Sequence, residues 1–556
     1  MFKQIHILAF AAFFASAVVA TPPASGQTTW SVDDDAPNDP GPGDPAVSDP
    51  LEDGSAAHPF DAIQEGIDAA SGGDTVLVLD GTYTGLGNKN LDFHAKAIAV
   101  RSENGPQECI VDCQDSGRAF YFVTEERSTS VVDGFTVIRG YAPDGGAVYC
   151  ANSSPEISNC TMSANTAFTY SGSPHGGAVY CVNSSPTISN CSMTDNMALS
   201  WPYYLSYGGA VYCANSSPAI SNCSFSANMA QYGGAVACDA SSPRIISCVV
   251  SANRANGSGG GAYCSSSSPT ITDCTFSDNE AWPSHGGAIY CVGYSSPSPR
   301  ISDCTMTGNL SLGRGGAIFC YNDSNPEISN CTISDNRAAN WQGGGVCCFS
   351  ASPTISNCII SDNWTSYYGG GVACFYSSVA ISNCTITANT AGHNGGGVSC
   401  VNSTPAMGNC ILWADMPDEF LAGADSEPIV RYSDVLGGWA ARATLTLIPA
   451  SSILMVPTTI RTPGKTTTTA LAPAHPASTP GAIAASCRIS PTSTTTATPA
   501  NPRRWTWTAK AAFSTTRTRR TPAAAARRSS TWGLMNTAAP EHSRASAIST
   551  VIATLI

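Results

Sequence analysis

Beyond residue 19 the sequence has no apolar run long enough to cross a bilayer, which takes about 20 residues of helix. It has no CxxC pair and no histidine set beside its cysteines, so the usual zinc-ligand spacings are missing. An acidic segment near the amino terminus lacks the glycine and closing glutamate of an EF-hand loop. From Ala441 onward Asp and Tyr disappear altogether. These absences set aside membrane-spanning helices, zinc modules and EF-hands, and they mark the last fifth of the chain as different in kind.

What is present is repetition. Gly145–Asn165 reads GGAVYCANSSPEISNCTMSAN, and its layout returns from Gly176, Gly208, Gly233, Gly260, Gly286, Gly315, Gly344, Gly370 and Gly396. The first cysteines of the units are spaced 25 to 32 residues apart. Self-similarity at a period of about 20–50 residues signals a solenoid, propeller or array. Within one unit Ala147–Cys150 and Ile157–Met162 are short β-type runs around the polar turn Asn152–Pro155, where Asn, Ser and Pro turn the chain.

The inward set is Val148, Cys150, Ile157, Cys160 and Met162. The period of two slips at Asn159, a residue type that tolerates the left-handed backbone such a bend needs. Asn159, Asn190, Asn222, Asn330, Asn357, Asn383 and Asn409 share that slot, with Asp273 and Asp303 in two further units; stacked, they predict a structural asparagine ladder at one corner. Each unit supplies about three strands too short to bury a face alone. Coils stacked about 4.8 Å apart solve this, and ten of them make a rod of roughly 50 Å. The Gly-Gly pair admits the backbone back into the first strand, and the variable loop before it absorbs every length change.

The pattern resembles the right-handed parallel β-helix of the pectate-lyase-like superfamily over about residues 60–440. Its GGA[VI] and FxxN elements, here Phe225–Asn228 and Phe276–Asn279, also resemble repeats of the chlamydial polymorphic outer-membrane proteins. The resemblance implies an all-β, right-handed parallel β-helix solenoid with a short amino-terminal capping helix. It does not name an activity, since the fold hosts lyases, hydrolases, adhesins and structural rods.

Residues 1–20 read as a secretory signal, with Lys3 ahead of the apolar run Ile7–Val19 and a small residue at Ala20. The implied address is secreted or cell surface. Ten cysteine pairs, usually ten residues apart, fit export as intra-coil disulfides. The candidates are Cys150/Cys160, Cys181/Cys191, Cys213/Cys223, Cys238/Cys248, Cys264/Cys274, Cys374/Cys384 and Cys400/Cys410, provided their Cα atoms approach within about 4.4–6.8 Å. The alternative is two ladders of reduced cysteines acting as small buried hydrophobes.

In order, residues 21–58 form an acidic Pro/Gly-rich leader, whose carboxylates leave calcium open as a cofactor and imply no other. Residues 59–140 hold the cap and early coils, with Phe60, Ile63, Ile67 and Ala70 at helical spacing. Ten regular coils fill 141–413, and 414–440 make the last coil.

No acid/base set stands out. Asp195, Asp278, Asp335 and Asp362 occupy one repeat slot, but Ala164, Ala227, Ala252 and Ala388 fill it elsewhere, which suits a turn better than catalysis. Arg244 and Arg300 follow prolines and point to solvent. His175 and His285 precede Gly-Gly in a way similar to polygalacturonases, yet the paired-Asp and Arg-x-Lys motifs of those enzymes are missing, so no catalytic residue is carried over. Aromatics are the better signal. Trp201, Tyr203, Tyr204, Tyr207, Trp282, Trp341, Trp364, Tyr367 and Tyr368 sit in the variable loops, where they are candidates to stack on sugar rings or anchor a protein, or simply to cover that edge of the rod. The expectation is a non-catalytic binder of a surface glycan or protein, or an envelope component, with no nucleic-acid partner. The alternative is a polysaccharide lyase or glycoside hydrolase.

Residues 441–556 hold 13 of the 26 Lys and Arg but only Glu541 of the 40 acidic residues. A basic arm or a glycosylated Thr/Pro stalk would fit that composition. A shifted reading frame explains more: back-translated and moved by one base, Ala441–Val456 can become GEGNLDADPRFVDPDG, an acidic sequence similar to the usual end of such proteins. The tail is therefore expected to be out of frame and disordered, through a single-base insertion or deletion near Ala440. Resequencing that DNA should find the shift; an unambiguous gene whose relatives share this frame would remove the idea.

Overall fold

A computed structural model describes residues 26–35, 51–200, 204–294, 297–423 and 425–438. The segment read as a secretory signal, most of the leader and the tail lie outside the described residues. Among those described, no helix is long and apolar enough to cross a membrane.

The chain winds as a right-handed parallel β-helix. Among the described residues its strands stack into four sheets of 15, 12, 14 and 10 members, and every strand pairing there is parallel. One coil shows the plan. Val148–Ala151 joins the 12-stranded sheet, Glu156–Ser158 the 15-stranded sheet and Thr161–Ser163 the 14-stranded sheet. Thr166–Thr169 is a fourth strand that the three-strand reading of the repeat missed, because only its alanine faces inward. Ala167, Ala198 and Ala230 pack there as a small cluster of their own.

Between strands the coil turns on single residues with left-handed backbone. Gly145, Asn152, Asn159 and Ala164 have φ of 58°, 53°, 53° and 54°. Glycine is required at the first corner and at the residue after it. A Cβ on Gly145 would lie 2.2 Å from the Val148 carbonyl oxygen, and one on Gly146 would lie 2.3 Å from the Gly177 oxygen of the next coil.

The inward set is buried as the period of two requires: Val148, Cys150, Ile157, Cys160 and Met162 are all at most 2% exposed. Each meets its own counterpart in the next coil, Cys150 with Cys181, Ile157 with Ile188 and Met162 with Met193. The cysteines follow the same rule, which corrects the intra-coil disulfide expectation. All 23 described cysteines are free, buried thiols. Cys150 and Cys160 of one coil, like Cys181/Cys191, Cys213/Cys223, Cys238/Cys248, Cys264/Cys274, Cys374/Cys384 and Cys400/Cys410, belong to two separate stacks. Ten residues carry the chain through a turn, a strand and another turn, so the pair lines two different corners of the core. In the second stack the thiols, at the corner after a strand, donate to the carbonyl that ends it, Cys191 to Ser189 at 3.2 Å and Cys223 to Ser221 at 3.2 Å.

The continuous polar ladder is buried. Asn165, Asn196, Asn228, Asn253, Asn279, Asn309, Asn336, Asn363 and Asn389 are fully inaccessible. From Asn196 onward each Oδ1 accepts both the backbone N–H and the Nδ2–H of the asparagine one coil earlier, 3.1 and 3.0 Å for Asn253 to Asn279, while Asn165 Oδ1 accepts the Gly140 N–H at 2.8 Å. The other Nδ2–H donates to a carbonyl of the preceding coil, Asn279 to Val250 at 2.8 Å. Every polar atom of the interior asparagines is thereby paired, the condition for burying an amide without penalty.

Asn159, Asn190, Asn222, Asn330, Asn357, Asn383 and Asn409, at the corner read from sequence, have positive φ and exposed side chains. Their bonds run only in pieces, such as Asn190 to Asn159 at 3.2 Å and Asn383 to Asn357 at 3.1 Å.

The two ends differ. At the amino terminus the helix Ile63–Ala69 buries Ile63 and Ile67 over the first coil. The leader contributes more than a cover: Thr29–Val32 is the first strand of the 15-stranded sheet and pairs with Thr75–Val78. Gly81–Tyr83 is the first strand of the 14-stranded sheet. At the carboxyl end Phe420–Ala422, Ile429–Arg431 and Asp434–Val435 complete the last coil. There Asp415 takes the slot of the buried asparagines and accepts from Asn389 Nδ2 at 2.9 Å. Its carboxyl is pushed up to about 8, first by burial and then by neighbouring Glu419.

Replacing Asn279 by Ala should strand the donors of Asn253 and the partners above, at about 1–3 kcal/mol for each group left unpaired. Asn330→Gly at the exposed left-handed corner should stay within about 0.5 kcal/mol. Denaturant unfolding of both variants checks the contrast, and equal losses would contradict the buried ladder. Asp415 adds a pH term. Its native carboxyl holds a proton that the unfolded one has lost, so its contribution is complete below about 3.8 and disappears as pH rises through about 8. Melting curves of Asp415→Asn, which keeps the acceptor for Asn389, should fall less steeply over that window than those of the wild type.

Candidate functional site

The outward positions of the 12-stranded sheet follow from the same period of two. In register they run Tyr121, Tyr149, Tyr180, Tyr212, Ala237, Tyr263, Tyr290, Phe319, Cys347, Ala373 and Ser399. Ring centroids are 5.3 Å apart for Tyr149–Tyr180, 5.7 Å for Tyr180–Tyr212 and 5.3 Å for Tyr263–Tyr290.

A second row comes from the loop residue before each glycine corner. Asp144, His175, Tyr207 and Tyr232 are joined by parallel bridges, and His285, Arg314, Gln342 and Tyr368 hold the equivalent place further on. The rows interlock. His175 stacks on Tyr212 at 4.6 Å, and Tyr232 reaches Tyr263 at 4.9 Å, filling the gap that Ala237 leaves. Loop and strand therefore form one aromatic wall on the outside of the solenoid.

Charge inside this wall is held at named places. Asp144 lies 2.7 Å from His175 Nδ1; a carboxylate only accepts, so Nδ1 carries a proton toward it. Burial and then the Asp144 charge push the Tyr180 hydroxyl up to about 12, so it stays protonated at neutral pH. His285 is pushed down to about 4, by burial first and then by the Arg314 charge; its Nδ1 accepts the Arg314 backbone N–H at 2.9 Å.

The two halves of the wall differ in what they offer. Among the tyrosines the rings cover one another, Tyr180 and Tyr212 only 2° from parallel and Tyr263 and Tyr290 only 4°. Their faces are occupied, and edges and hydroxyls remain. Past Phe319 the strand residues shrink to Cys347, Ala373 and Ser399, and larger rings open on either side. Trp341 and Tyr367 are 47% and 43% exposed. Tyr367 meets Trp341 at 6.4 Å, Tyr368 at 6.2 Å and His393 at 5.0 Å. Arg314 lies between the Trp341 and Phe349 rings, 4.7 and 5.1 Å from their centroids, and its Nε donates to Gln342 at 3.1 Å. A fixed guanidinium between two rings and an open ring platform are the parts from which sugar-binding and protein-binding faces are made.

Of the loop aromatics named from sequence, Trp341, Tyr367 and Tyr368 come together here. Tyr207 belongs to the tyrosine half. Tyr204 and Trp282 are exposed, and Trp364 is on the short strand Trp364–Thr365 under Arg337, 4.3 Å away. Trp201 and Tyr203 lie outside the described residues. Sequence reasoning missed Arg314, Phe349, His393 and the strand tyrosines. The signal was the outward slot between Val148 and Cys150, aromatic in most units. Asp195, Asp278, Asp335 and Asp362 are exposed corner residues with φ of 54–57°, like Ala164, Ala227, Ala252 and Ala388 in the same slot. Arg244 and Arg300 are exposed, Arg300 pairing with Glu327 at 2.7 Å.

The model of the right handed beta helix region matches residues 93–311 and 260–416. No curated protein matches the sequence. Among solved structures, the A-module of the Azotobacter vinelandii mannuronan C-5 epimerase AlgE6 aligns at TM-score 0.33 and 14% identity, over 67% of this chain and 93% of that one. The catalytic domain of a GH87 alpha-1,3-glucanase with nigerose aligns at 0.31 and 11%, over 67% of each chain. Pectate lyase Pel9A aligns at 0.25 and 14%, over 74% of this chain and 80% of that one. At such identities and scores the chemistry of those proteins does not transfer. The likeness to chlamydial outer-membrane repeats is not among these matches.

Proposed function

The chain belongs to the right-handed β-helix family, and on that scaffold we propose an exported protein that binds a polysaccharide along the aromatic wall, its main platform being Trp341, Tyr367, Tyr368 and His393. The observation that carries this reading is the exposed ring cluster beside Arg314, which is fixed between Trp341 and Phe349. Ring faces bury the apolar faces of sugars, and a preorganised guanidinium donates to hydroxyl or carboxylate oxygens at little entropic cost. The wall runs along the stacking direction of the coils, so an extended chain can engage several of them at once, each contributing one or two side chains. Loop length, free to vary in every unit, would tune the platform without touching the core.

A second reading rests on the Asp144–His175 bond. Asp144 fixes the imidazole tautomer, His175 Nε2 is free to take a proton, and protonated Tyr180 stands beside it as a donor. In a uronate chain Nε2 would take the proton α to the carboxylate. The electron pair left behind would form the new double bond and expel the glycosidic oxygen, and the tyrosine hydroxyl would protonate that oxygen.

Affinity electrophoresis of the full chain on acidic and neutral polysaccharides should show retention on at least one. Trp341→Ala and Tyr367→Ala should each weaken it by about tenfold or more, equivalent to about 1.4 kcal/mol. Unchanged retention in the double variant would remove the platform from the proposal. Unsaturated products from any substrate, lost in His175→Ala, would instead favour the lyase reading.

A further inference from the structure

At the amino-terminal cap, Glu52, Asp61 and Glu65 bring one carboxylate oxygen each to within 4.8 Å of one another. Three elements meet there: the segment leading to Gly54, the turn before the capping helix, and the first turn of that helix. Asp61 is 3% exposed, and neither of its oxygens has a hydrogen-bond partner. Oε2 of Glu65 is buried and unpartnered as well. Glu52 is held in place through its Oε1, which accepts the Asp61 backbone N–H at 3.1 Å.

A carboxylate removed from water with nothing to accept from costs several kcal/mol in effective terms, and two more beside it add repulsion. Burial, and then the neighbouring Asp61 and Glu52, push the Glu65 carboxyl up to about 8. Elsewhere in the cap, buried carboxylates are supplied with donors: Asp74 accepts from Thr28, Trp30 and Ser71 at 2.8–3.2 Å, and Asp34 accepts from Thr82 at 2.8 Å. The Glu52–Asp61–Glu65 cluster is built differently: no backbone N–H, hydroxyl or cation of the protein reaches either Asp61 oxygen or Glu65 Oε2.

We propose that Glu52, Asp61 and Glu65 form a calcium site that clamps the segment before Gly54 onto the capping helix. Hard oxygen donors alone select calcium or magnesium over softer metals. Calcium is favoured because it takes six to eight oxygens in adaptable geometry, and carboxylates can serve it in bidentate fashion. Magnesium demands a strict octahedron and keeps several waters. The site is far in sequence from the aromatic wall and does not depend on the polysaccharide reading. Its role is closure: Gly54 packs against Phe60 and Trp30, and these stack on each other at 6.0 Å over the first coil.

The test is calorimetric titration of the chelator-treated full chain with calcium at neutral pH, beside melting curves with and without the ion. Wild type should give a saturable heat and melt at higher temperature with calcium. Asp61→Asn combined with Glu65→Gln should lose both responses. This variant removes buried charge, so its circular dichroism without calcium should match the wild type, which separates loss of the site from loss of the fold. Absence of a saturable heat in the wild type, an undiminished heat in the variant, or tighter binding of magnesium than of calcium would each overturn the assignment.

Discussion

Everything in this structure answers to one constraint: each coil lies directly on the next at the strand-pairing distance of about 4.8 Å. At that spacing a side chain's principal neighbour is its own counterpart one coil away. Residues that tolerate their own copies survive in the interior, and residues that repel their copies do not. Isoleucine, methionine and the thiol of cysteine qualify because they gain from self-contact. A buried charge does not. Asparagine is the polar residue that qualifies, because its amide donates and accepts along one line. The run from Asn165 to Asn389 satisfies each amide with the next, and no water or charge is needed until the run ends.

The same constraint explains what could be read in advance. A period carried by Gly-Gly, Cys and Asn announces stacking, and the alternation around Val148 and Cys150 assigns the inward face. Which asparagine makes the continuous ladder was legible too, by a criterion that was overlooked. The Asn159 slot also holds Ser247, Asp273 and Asp303, and such tolerance belongs to a solvated corner where only left-handed backbone matters. The Asn165 slot holds asparagine in nine successive coils, as a position with a single chemical solution must. The cysteine pairs misled for a related reason. Sequence spacing within a coil suggested partners, whereas in a solenoid the neighbour that matters is one period away.

The aromatic wall was half legible. Aromatics in loops of irregular length stand out as features without a structural excuse, and three of them do converge. The strand tyrosines did not stand out, since an outward tyrosine on a β-strand is ordinary for its propensity. What could not be read is how loop and strand interlock, with Tyr232 reaching over Ala237 to Tyr263. That depends on loop lengths differing from coil to coil. The wall is therefore where the repeat becomes individual. The core is nearly the same in every coil, while the outward surface changes from self-covered tyrosines to an open platform around Arg314.

A stack of like coils has a problem only at its ends, and there the like-with-like rule fails for want of a copy. Both ends of this solenoid use carboxylates, to different effect. At the carboxyl end Asp415 supplies the acceptor that Asn389 needs, and burial and then neighbouring Glu419 favour its protonated form. That is a local repair, made with one proton. At the amino end no ladder arrives to be terminated: the coil-to-coil asparagine ladder begins at Asn165, the buried Asn88 of the cap accepts instead from the Ile63 N–H at 2.8 Å, and the first coils are filled by Phe120, Phe122 and Phe135. Glu52, Asp61 and Glu65 therefore have no asparagine to serve. Their gathering under the capping helix has no counterpart in the repeat and follows from no stacking rule. An arrangement that the fold does not require, and that burial penalises, is what the proposed calcium ion would account for.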